Sequence, residues 1–354
     1  MTTSRTPAVG PDDEPSARTS PVTMRDVAQA AGVSVATVSH VVNDKPGARI
    51  GDAARDRVKQ AIEELGYRPN ALAQTLVKGN SKFIGLVADA IATTPFAGRI
   101  IQGAQDEAWK NGYVLLVANT DGNEGAEEEA ISMMLEHKVR GILYSTWYHR
   151  EASVPVALAE TDAVLVDCFS DSAALPAVVP DERQGGRTAT ELLLTAGHKR
   201  VAFINTTTPS PAQAGRLAGY RDALAHAGAP FDESLVIDAS PDQEGGYSAA
   251  AEVFAQGATA VFCHNDRVAM GFYDAARERN LRIPDDIAVV GFDDQEVISA
   301  HLRPPLTTVA LPHYELGVAG VRTLLGLDSP TQVPRQLIAC PPVPRRSVGA
   351  PADA

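Results

Sequence analysis

The chain has 354 residues, more than the roughly 250–300 at which a single hydrophobic core stops growing, so two or three domains are expected. A hydrophobic content of 44% excludes a wholly disordered chain, and three isolated cysteines argue against a disulfide framework and suit a reducing cytoplasm. The net charge of −13 by itself disfavours nucleic acid as a partner, and neither a membrane span nor a signal-peptide pattern is present, so we expect a cytoplasmic protein.

The charge is unevenly distributed along the chain. Residues 21–82 hold nine basic and six acidic residues, whereas residues 83–354 hold twenty basic and thirty-five acidic ones. A small basic module therefore precedes a large acidic one. Residues 1–20, rich in Pro, Ser and Thr without an apolar period, are expected to form a disordered tail.

Two short helices are predicted next. Thr23 can cap a helix over residues 24–31, Gly32 can end it, and Ser34 can cap a second helix over about residues 35–43. Apolar positions at Val27 and Val38 with an intervening Gly turn are typical of a helix-turn-helix.

The second helix has a face that could read DNA. If Val38 and Val42 point inward, the opposite face carries small apolar, hydroxyl, imidazole and amide groups, which suit thymine methyls and base edges in a major groove. These residues are Val35, Ala36, Ser39, His40 and Asn43. An ordinary solvated helix face remains the alternative.

A third helix is predicted to follow, capped by Asp52 and running to Leu65, where Gly66 ends it. An extended stretch, residues 67–70, then leads to a short helix over residues 71–77 that has too little apolar surface to fold alone.

A family resemblance becomes specific at this point. The stretches TMRDVAQAAGVSVATVSHVVN and KQAIEELGYRPNALAQTLVKGNSKFIGLV resemble the DNA-binding headpiece and hinge helix of the lactose-repressor (LacI/GalR) family of bacterial transcription regulators. The resemblance implies that Val35, Ala36 and His40 read bases, that Asn43 lies near the phosphate backbone, and that Leu76 wedges into a minor-groove step. Generic phosphate-contact candidates are Arg25, Arg55, Arg57 and Lys59.

From residue 83 onward, apolar runs alternate with helical patterns, as in parallel sheets covered on both faces. Strands are predicted at residues 83–88, 113–118, 141–144, 163–166, 200–204, 259–263 and 287–292, with weaker candidates at 235–237 and 336–338. Helices are predicted at residues 98–110, 124–137, 183–196, 213–227 and 267–280. About nine strands indicate two doubly wound subdomains.

Ligands of such folds bind beyond the carboxyl ends of the strands. Carboxylates and amides that suit vicinal hydroxyls follow several strands, although some could instead cap the next helix. They are Asp89, residues 119–121, Asp167, Asn265, Asp266, Asp293 and Asp294.

The body also resembles the family's effector domain, which is similar to periplasmic sugar-binding proteins, through the segments GHKRVAFI, RLAGYRDAL, FCHNDRVAMG, IPDDIAVVGFDD and RPPLTTV. The resemblance assigns effector contacts to Arg216, Asp167, Asn265 and Asp293, and Tyr247 falls near a position where relatives stack an aromatic ring on a sugar. Asp89 joins this set by its strand-end position. Leu311 stands where relatives often have Gln, so a polar contact is lost.

These observations predict an all-α headpiece at residues 21–68, a hinge helix and linker at 69–81, an α/β body at 82–348 and a tail at 349–354. We expect an N-subdomain at about 82–180 and 309–336, and a C-subdomain at about 181–308 and 337–348. The resemblance implies a homodimeric regulator, most simply a repressor, that binds a palindromic operator and is associated with the nucleoid when bound. Its effector is expected to be a sugar or sugar derivative, with a purine or phosphorylated ligand as the alternative.

Rival classes fit less well. A sugar-transport receptor would carry a secretory signal and no headpiece, and a non-specific DNA binder would be far more basic. His264 beside Asn265 and Asp266 invites a catalytic interpretation, but no nucleophile elbow, metal-ligand spacing or phosphate loop accompanies it, so neither an enzyme nor a cofactor is expected.

Overall fold

The computed structural model describes residues 22–43, 45, 47–68, 81–94, 97–328 and 335–351. The chain divides into two units, residues 1–80 and 81–354, which are described separately below. The N-terminal tail, the predicted hinge helix and Leu76 lie outside the described residues.

The first unit contains three described helices: α1 Met24–Ala31, α2 Val35–Val42 and α3 Asp52–Leu65. As predicted, Thr23 caps α1 in a reciprocal capping box with Asp26, and the Ser34 side chain accepts a hydrogen bond from Thr37 N. Gly32 ends α1 in the left-handed conformation, with φ 62°.

The helices enclose a small apolar core. Val27, Val38 and Val58 are fully buried in it, and Tyr67 closes one side. Asp52 is the first residue of α3, preceded by Gly51 with no side-chain cap, so its predicted capping role was wrong. The second helix ends one residue earlier than predicted, and Asn43 is its C-cap.

The second unit contains two six-stranded sheets. The strands of the first sheet are β1 Phe83–Ala88, β2 Val114–Asn119, β3 Ile142–Glu151, β4 Ala163–Phe169, β5 Ala177–Pro180 and β11 Arg335–Ile338, ordered β11-β5-β4-β3-β1-β2 and parallel throughout. The strands of the second sheet are β6 Val201–Thr206, β7 Val236–Ala239, β8 Ala260–Cys263, β9 Ala288–Asp293, β10 Thr307–Ala310 and β12 Pro342–Val343, ordered β12-β10-β9-β8-β6-β7, with only β12 antiparallel.

Helices cover these sheets. They are α4 Gly98–Lys110, α5 Glu124–Glu136, α6 Glu182–Thr195, α7 Pro211–His226, α8 Gln243–Ala255, α9 Asp266–Glu278, α10 Glu296–Ser299 and α11 His313–Leu324, with short 3-10 turns at Ile91–Thr93, Val156–Glu160 and Glu233–Leu235. The helices pack in pairs, α4 with α11, α6 with α7 and α8 with α9. Among the described residues, no helix is long and apolar enough to cross a membrane.

The chain passes between the two sheets three times, after β5, after β10 and after β11. The subdomain boundaries expected at about 309 and 337 fall inside strands β10 and β11. All of β10 belongs to the second sheet, and all of β11 belongs to the first. The twelve strands found in the described part of the chain include three that the apolar pattern did not predict, β5, β10 and β12.

Candidate ligand cleft and DNA-reading helix

A cavity of about 290 Å³ lies where the carboxyl ends of strands from both sheets meet. Parallel strands bring their carboxyl ends to one edge of a sheet, so residues distant in sequence converge there. The lining residues are Trp147, Tyr148, His149, Asp167, Glu182, Thr206, Thr208, Ser210, Ala212, Arg216, Pro241, His264, Asn265, Arg267, Asp293, Leu311 and His313.

Arg216 occupies the centre of this cleft and is only 3% exposed. Its Nε donates to Glu182 Oε2 at 2.8 Å, its Nη1 donates to the His264 carbonyl at 2.5 Å, and its Nη2 lies 3.6 Å from Asp293 Oδ1. The guanidinium also lies 3.7 Å from the centre of the Phe292 ring. All three nitrogens of the guanidinium therefore face acceptors of the protein.

Close helix packing creates this arrangement. A Cβ on Gly186 of α6 would lie 2.4 Å from the Arg216 carbonyl oxygen, and one on Gly215 of α7 would lie 2.6 Å from the Glu182 Cβ. Only glycine permits the two backbones to approach so closely, and that approach places the Arg216 side chain against Glu182.

The ion pair controls the ionisation of its members. Burial raises the pKa of Glu182, but the charge of Arg216 and the nearby His149, whose Nδ1 lies 3.5 Å from Glu182 Oε1, outweigh it and lower that pKa to about 2. Burial also raises the pKa of Asp293, which Arg216 only partly offsets. The Arg216 guanidinium therefore keeps Glu182 anionic across the neutral range.

Asp167 is 2% exposed and has φ 57°; its carbonyl accepts from Thr146 Oγ1 at 3.2 Å, but its carboxyl group accepts no hydrogen bond from the described residues. Burial, and then the charges of Glu182 and Asp293, raise its pKa well above the usual value. Burial and the nearby Arg216 lower the pKa of His264 well below the usual value, and its buried Nδ1 has no hydrogen-bond partner among the residues that the structure describes. An acid and an imidazole thus face the cavity with hydrogen-bonding capacity to spare.

Asn265 lines the cavity but is also the cap of α9. Its Oδ1 accepts from Val268 N at 2.9 Å, and its Nδ2 donates to the Pro241 carbonyl at 3.0 Å. Asp266, the alternative cap considered from the sequence, instead accepts from Gln295 N and Thr308 Oγ1 and is fully buried.

Two predicted effector residues are not part of the cavity lining. Asp89 accepts from Trp147 N at 2.9 Å and pairs with Arg150 at 3.2 Å, so it fixes the segment that contributes Trp147 to the cleft. Tyr247 is 38% exposed on α8, where it donates to Glu278 of α9. Strand β7 ends at Ala239, eight residues before Tyr247, so the residue that lines the cleft after this strand is Pro241 rather than Tyr247.

The sequence analysis missed other lining residues. Trp147, Tyr148 and His149 belong to β3, which extends well beyond its predicted end and changes register between Ser145 and Arg150. Glu182 follows β5, a strand that was not predicted, so the strand-end criterion was never applied there. Leu311 lines the cavity as an apolar residue.

The predicted reading face of α2 is accessible in the first unit. Val35 is 42% exposed, Ala36 is exposed, and Ser39 and His40 are half-buried. The Asn43 side chain donates to the Ser39 carbonyl at 2.9 Å and so ends the helix. Val38, on the opposite side, is fully buried.

One generic phosphate candidate has a structural role. The Nε of Arg57 on α3 donates to the carbonyl of Ala31 at 3.1 Å, which satisfies an acceptor at the end of α1. Its Nη1 donates to the Ala53 carbonyl at 3.2 Å. Arg57 therefore ties α3 to the turn between the first two helices.

A helix-turn-helix unit and a two-sheet body with a cleft at the strand ends are typical of a ligand-responsive DNA-binding protein. Two family models match the chain: "Bacterial regulatory proteins, lacI family" over residues 23–70, and "Periplasmic binding proteins and sugar binding domain of LacI family" over residues 81–340. The chain belongs to the LacI family and is a DNA-binding transcriptional regulator.

Individual relatives agree. The ribose operon repressor of Haemophilus influenzae is 32% identical over 324 residues, covering 90% of this chain and 96% of the relative. The regulator DegA of Bacillus subtilis is 34% identical over 325 residues, covering 90% and 95%. The crystal structure of the Lac repressor dimer bound to operator and the anti-inducer ONPF is 29% identical with a TM-score of 0.76, covering 94% of this chain and all of that one.

Proposed function

We propose that this regulator is a repressor that binds a palindromic operator as a homodimer and that a sugar or sugar derivative in the cleft controls its affinity. The observation that carries the proposal is the presence in one chain of the exposed α2 face and of a cavity lined by charged and aromatic side chains from both sheets. A two-fold dimer suits a two-fold symmetric site, and the Lac repressor compared above is described as such a dimer on its operator.

The DNA contacts follow from α2. Val35 and Ala36, at its exposed start, suit thymine methyl groups, whereas Ser39 and His40 supply polar groups for base edges. Asn43, at the helix end, would lie near the phosphate backbone. Leu76, outside the described residues, is proposed to enter the minor groove at the operator centre.

The effector contacts are proposed at Asp167, Arg216, Asn265 and Asp293, with Asp89 acting through the Trp147 segment. The exposed Tyr247 is left out of this set. We assign the cleft to binding rather than turnover, since family members are transcription regulators, and we place the protein in the cytoplasm, at the nucleoid when bound to DNA.

Effector binding would be coupled to DNA through the hinge. Residues from both sheets line the cavity, so a ligand that contacts both can change the angle between the subdomains. In a dimer, a change in that angle would alter how the N-subdomains of the two protomers pack against each other, and with that whether the hinge helix at residues 71–77 forms. Effector and operator would then bias the same equilibrium.

A randomised-site selection tests the DNA part of the proposal. We expect His40→Ala to change base preference at one position in each half-site and to leave the half-site spacing unchanged, because His40 reads a base edge while the dimer sets the spacing. Lys59→Ala, a change on α3, is the matched control and should weaken binding without altering preference. An unchanged preference for His40→Ala would remove this residue from base readout.

A further inference from the structure

His149 and Glu182 face each other across the cleft. His149 belongs to β3 of the first sheet, and Glu182 is the first residue of α6, which packs on the second sheet. The two side chains are 9% and 5% exposed, and His149 Nδ1 lies 3.5 Å from Glu182 Oε1. This contact therefore joins the two halves of the body at a place where water screens it little.

Each of these two side chains is held on its own side of the cleft. The His149 ring packs edge-on against Phe169 of β4, with the ring centres 5.9 Å apart. Glu182 Oε2 accepts from Arg216 Nε at 2.8 Å, and Oε1 is the oxygen that faces His149. Because neither side chain is free to follow the other, a rotation of one sheet relative to the other must change the distance between Nδ1 and Oε1.

The contact is looser than a charge-assisted hydrogen bond. The buried Nδ1 of His149 has no hydrogen-bond partner among the described residues, and 3.5 Å is too long for a strong bond to Glu182. A bond between a cationic N–H and a carboxylate oxygen is about 2.7–2.9 Å long, so a closing movement of under ~1 Å would complete it. A protonated imidazole gains more from that movement than a neutral one, because its N–H then carries positive charge toward an anion.

Other charged and titratable groups share the cavity with His149. They are Asp167 of β4, Glu182 of α6, Arg216 of α7, His264 after β8, Arg267 of α9, Asp293 of β9 and His313 of α11, while Arg150 follows His149 on β3 itself. The directions of their pKa shifts determine which of them can change charge near neutral pH.

Most of these groups keep one charge from pH 6 to pH 8. Glu182, with a pKa of about 2, stays anionic. Burial lowers the pKa of His264 well below the usual value and that of His313 to about 4, so both histidines stay neutral. Burial raises the pKa of Asp167 well above the usual value, so this carboxyl group requires a control of its own.

We propose that His149 and Glu182 form a proton-operated latch between the two halves of the body. Protonated His149 pairs with Glu182 and holds the cleft closed, whereas neutral His149 lets the two sheets separate more readily, so closure takes up a proton. The consequence for DNA rests on the proposed function, through the coupling of the cleft to the hinge helix. Acidity then becomes a second input to the regulator beside its effector.

Acrylamide quenching of Trp147 measures how open the cleft is. Trp147 lines the cavity, and the only other tryptophan, Trp109, is 62% exposed and is removed in a Trp109→Phe parent. Bimolecular quenching constants of the full-length parent are obtained from fluorescence lifetimes at pH 8 and pH 6 and constant ionic strength. We expect weaker quenching at pH 6, with the closing equilibrium shifted by about 10-fold, as when a hydrogen bond to a charged group replaces a neutral contact.

Variants of the parent assign the pH response to the latch. His149→Gln should remove it, because glutamine keeps a donor for Glu182 but takes up no proton. Glu182→Gln should remove it as well, because the protonated imidazole then meets no anion. His137→Gln, a change of an exposed histidine after α5 in the same half of the body, is the matched control and should respond as the parent does. Asp167→Asn should also retain the response.

A quenching constant that is the same at pH 6 and pH 8, or larger at pH 6, would overturn the proposal. A response that persists in His149→Gln, or that disappears in Asp167→Asn, would overturn it too, since another group would then be the source. None of these measurements involves DNA. A failed operator selection would therefore refute the repressor assignment and leave the latch unaffected, whereas a pH-independent cleft would refute the latch alone.

Discussion

Replacing Arg216 with Met should destabilise the body strongly and in a pH-dependent way. Met can still pack on the Phe292 ring, but Glu182 loses the positive charge that compensates for its burial. Lowering the pKa of Glu182 from 4.5 to about 2 corresponds to about 3 kcal/mol of stability at neutral pH. Removing one partner of a buried pair typically costs about 3–5 kcal/mol, so the two figures agree.

The sign of the pH dependence follows from the direction of each pKa. In the wild type the folded-state pKa of Glu182 lies below its unfolded value, so the stabilisation is present above pH 4.5 and is lost as the pH falls toward 2. Without Arg216, burial places the folded-state pKa of Glu182 above the unfolded value. The variant therefore loses most stability at neutral pH, where Glu182 is ionised in the unfolded chain. The difference between wild type and variant should therefore be largest near pH 7 and shrink on acidification.

Urea unfolding followed by tryptophan fluorescence measures this difference. Both tryptophans, Trp109 and Trp147, lie in the body, so the headpiece does not contribute to the fluorescence change. Arg183→Met is the matched control on α6: its pair with Asp222 is bidentate but 65% exposed on the Arg side, so its loss should cost far less stability than the loss of Arg216. A loss for Arg216→Met below 1 kcal/mol at pH 7, or one independent of pH, would refute the reasoning.

Two further predictions concern the body. Gly246→Ala should lower the free energy of unfolding of the body by about 3 kcal/mol or more, because the added Cβ would lie 1.9 Å from the Val268 carbonyl oxygen between α8 and α9. Gly98→Ala, with open space at the Cβ position, is the control and should change the free energy of unfolding in urea by less than about 0.5 kcal/mol. Equal effects would mean that the α8–α9 contact is not tight. Burial lowers the pKa of His313 to about 4, so this histidine contributes a loss of stability as the pH falls from 6.5 to 4. His313→Asn should reduce the loss of unfolding free energy between pH 7 and pH 4, measured by urea titration at both pH values, by roughly 2–3 kcal/mol. If the variant loses as much stability between these pH values as the wild type, His313 is not the source of the loss.

The sequence predicted elements best where the local pattern and the tertiary role agree. Strand β1 and helix α4 lie at the predicted residues, because a continuous apolar run and an amphipathic period leave little choice. Helices α8 and α11 are not among the helices that the sequence predicted, and their two glycines each do not explain this, since the predicted helices α6 and α7 also contain two glycines each. In the fold those glycines are contact points: a Cβ on Gly317 would lie 2.1 Å from the Ile100 carbonyl.

The strand-end criterion found the cleft but could not find how its residues pair. Asp167, Asn265 and Asp293 do meet in one cavity, as parallel strands require. Arg216 lies there too, but the resemblance gave no sign that its Nε and Nη1 already donate to Glu182 and to the His264 carbonyl. Whether a buried arginine is open to ligand depends on which carboxylates reach it, and Glu182 reaches it only because glycines let α6 and α7 approach. A motif can place a charged residue at a site, but the packing around that residue determines which of its hydrogen-bond donors remain for a ligand.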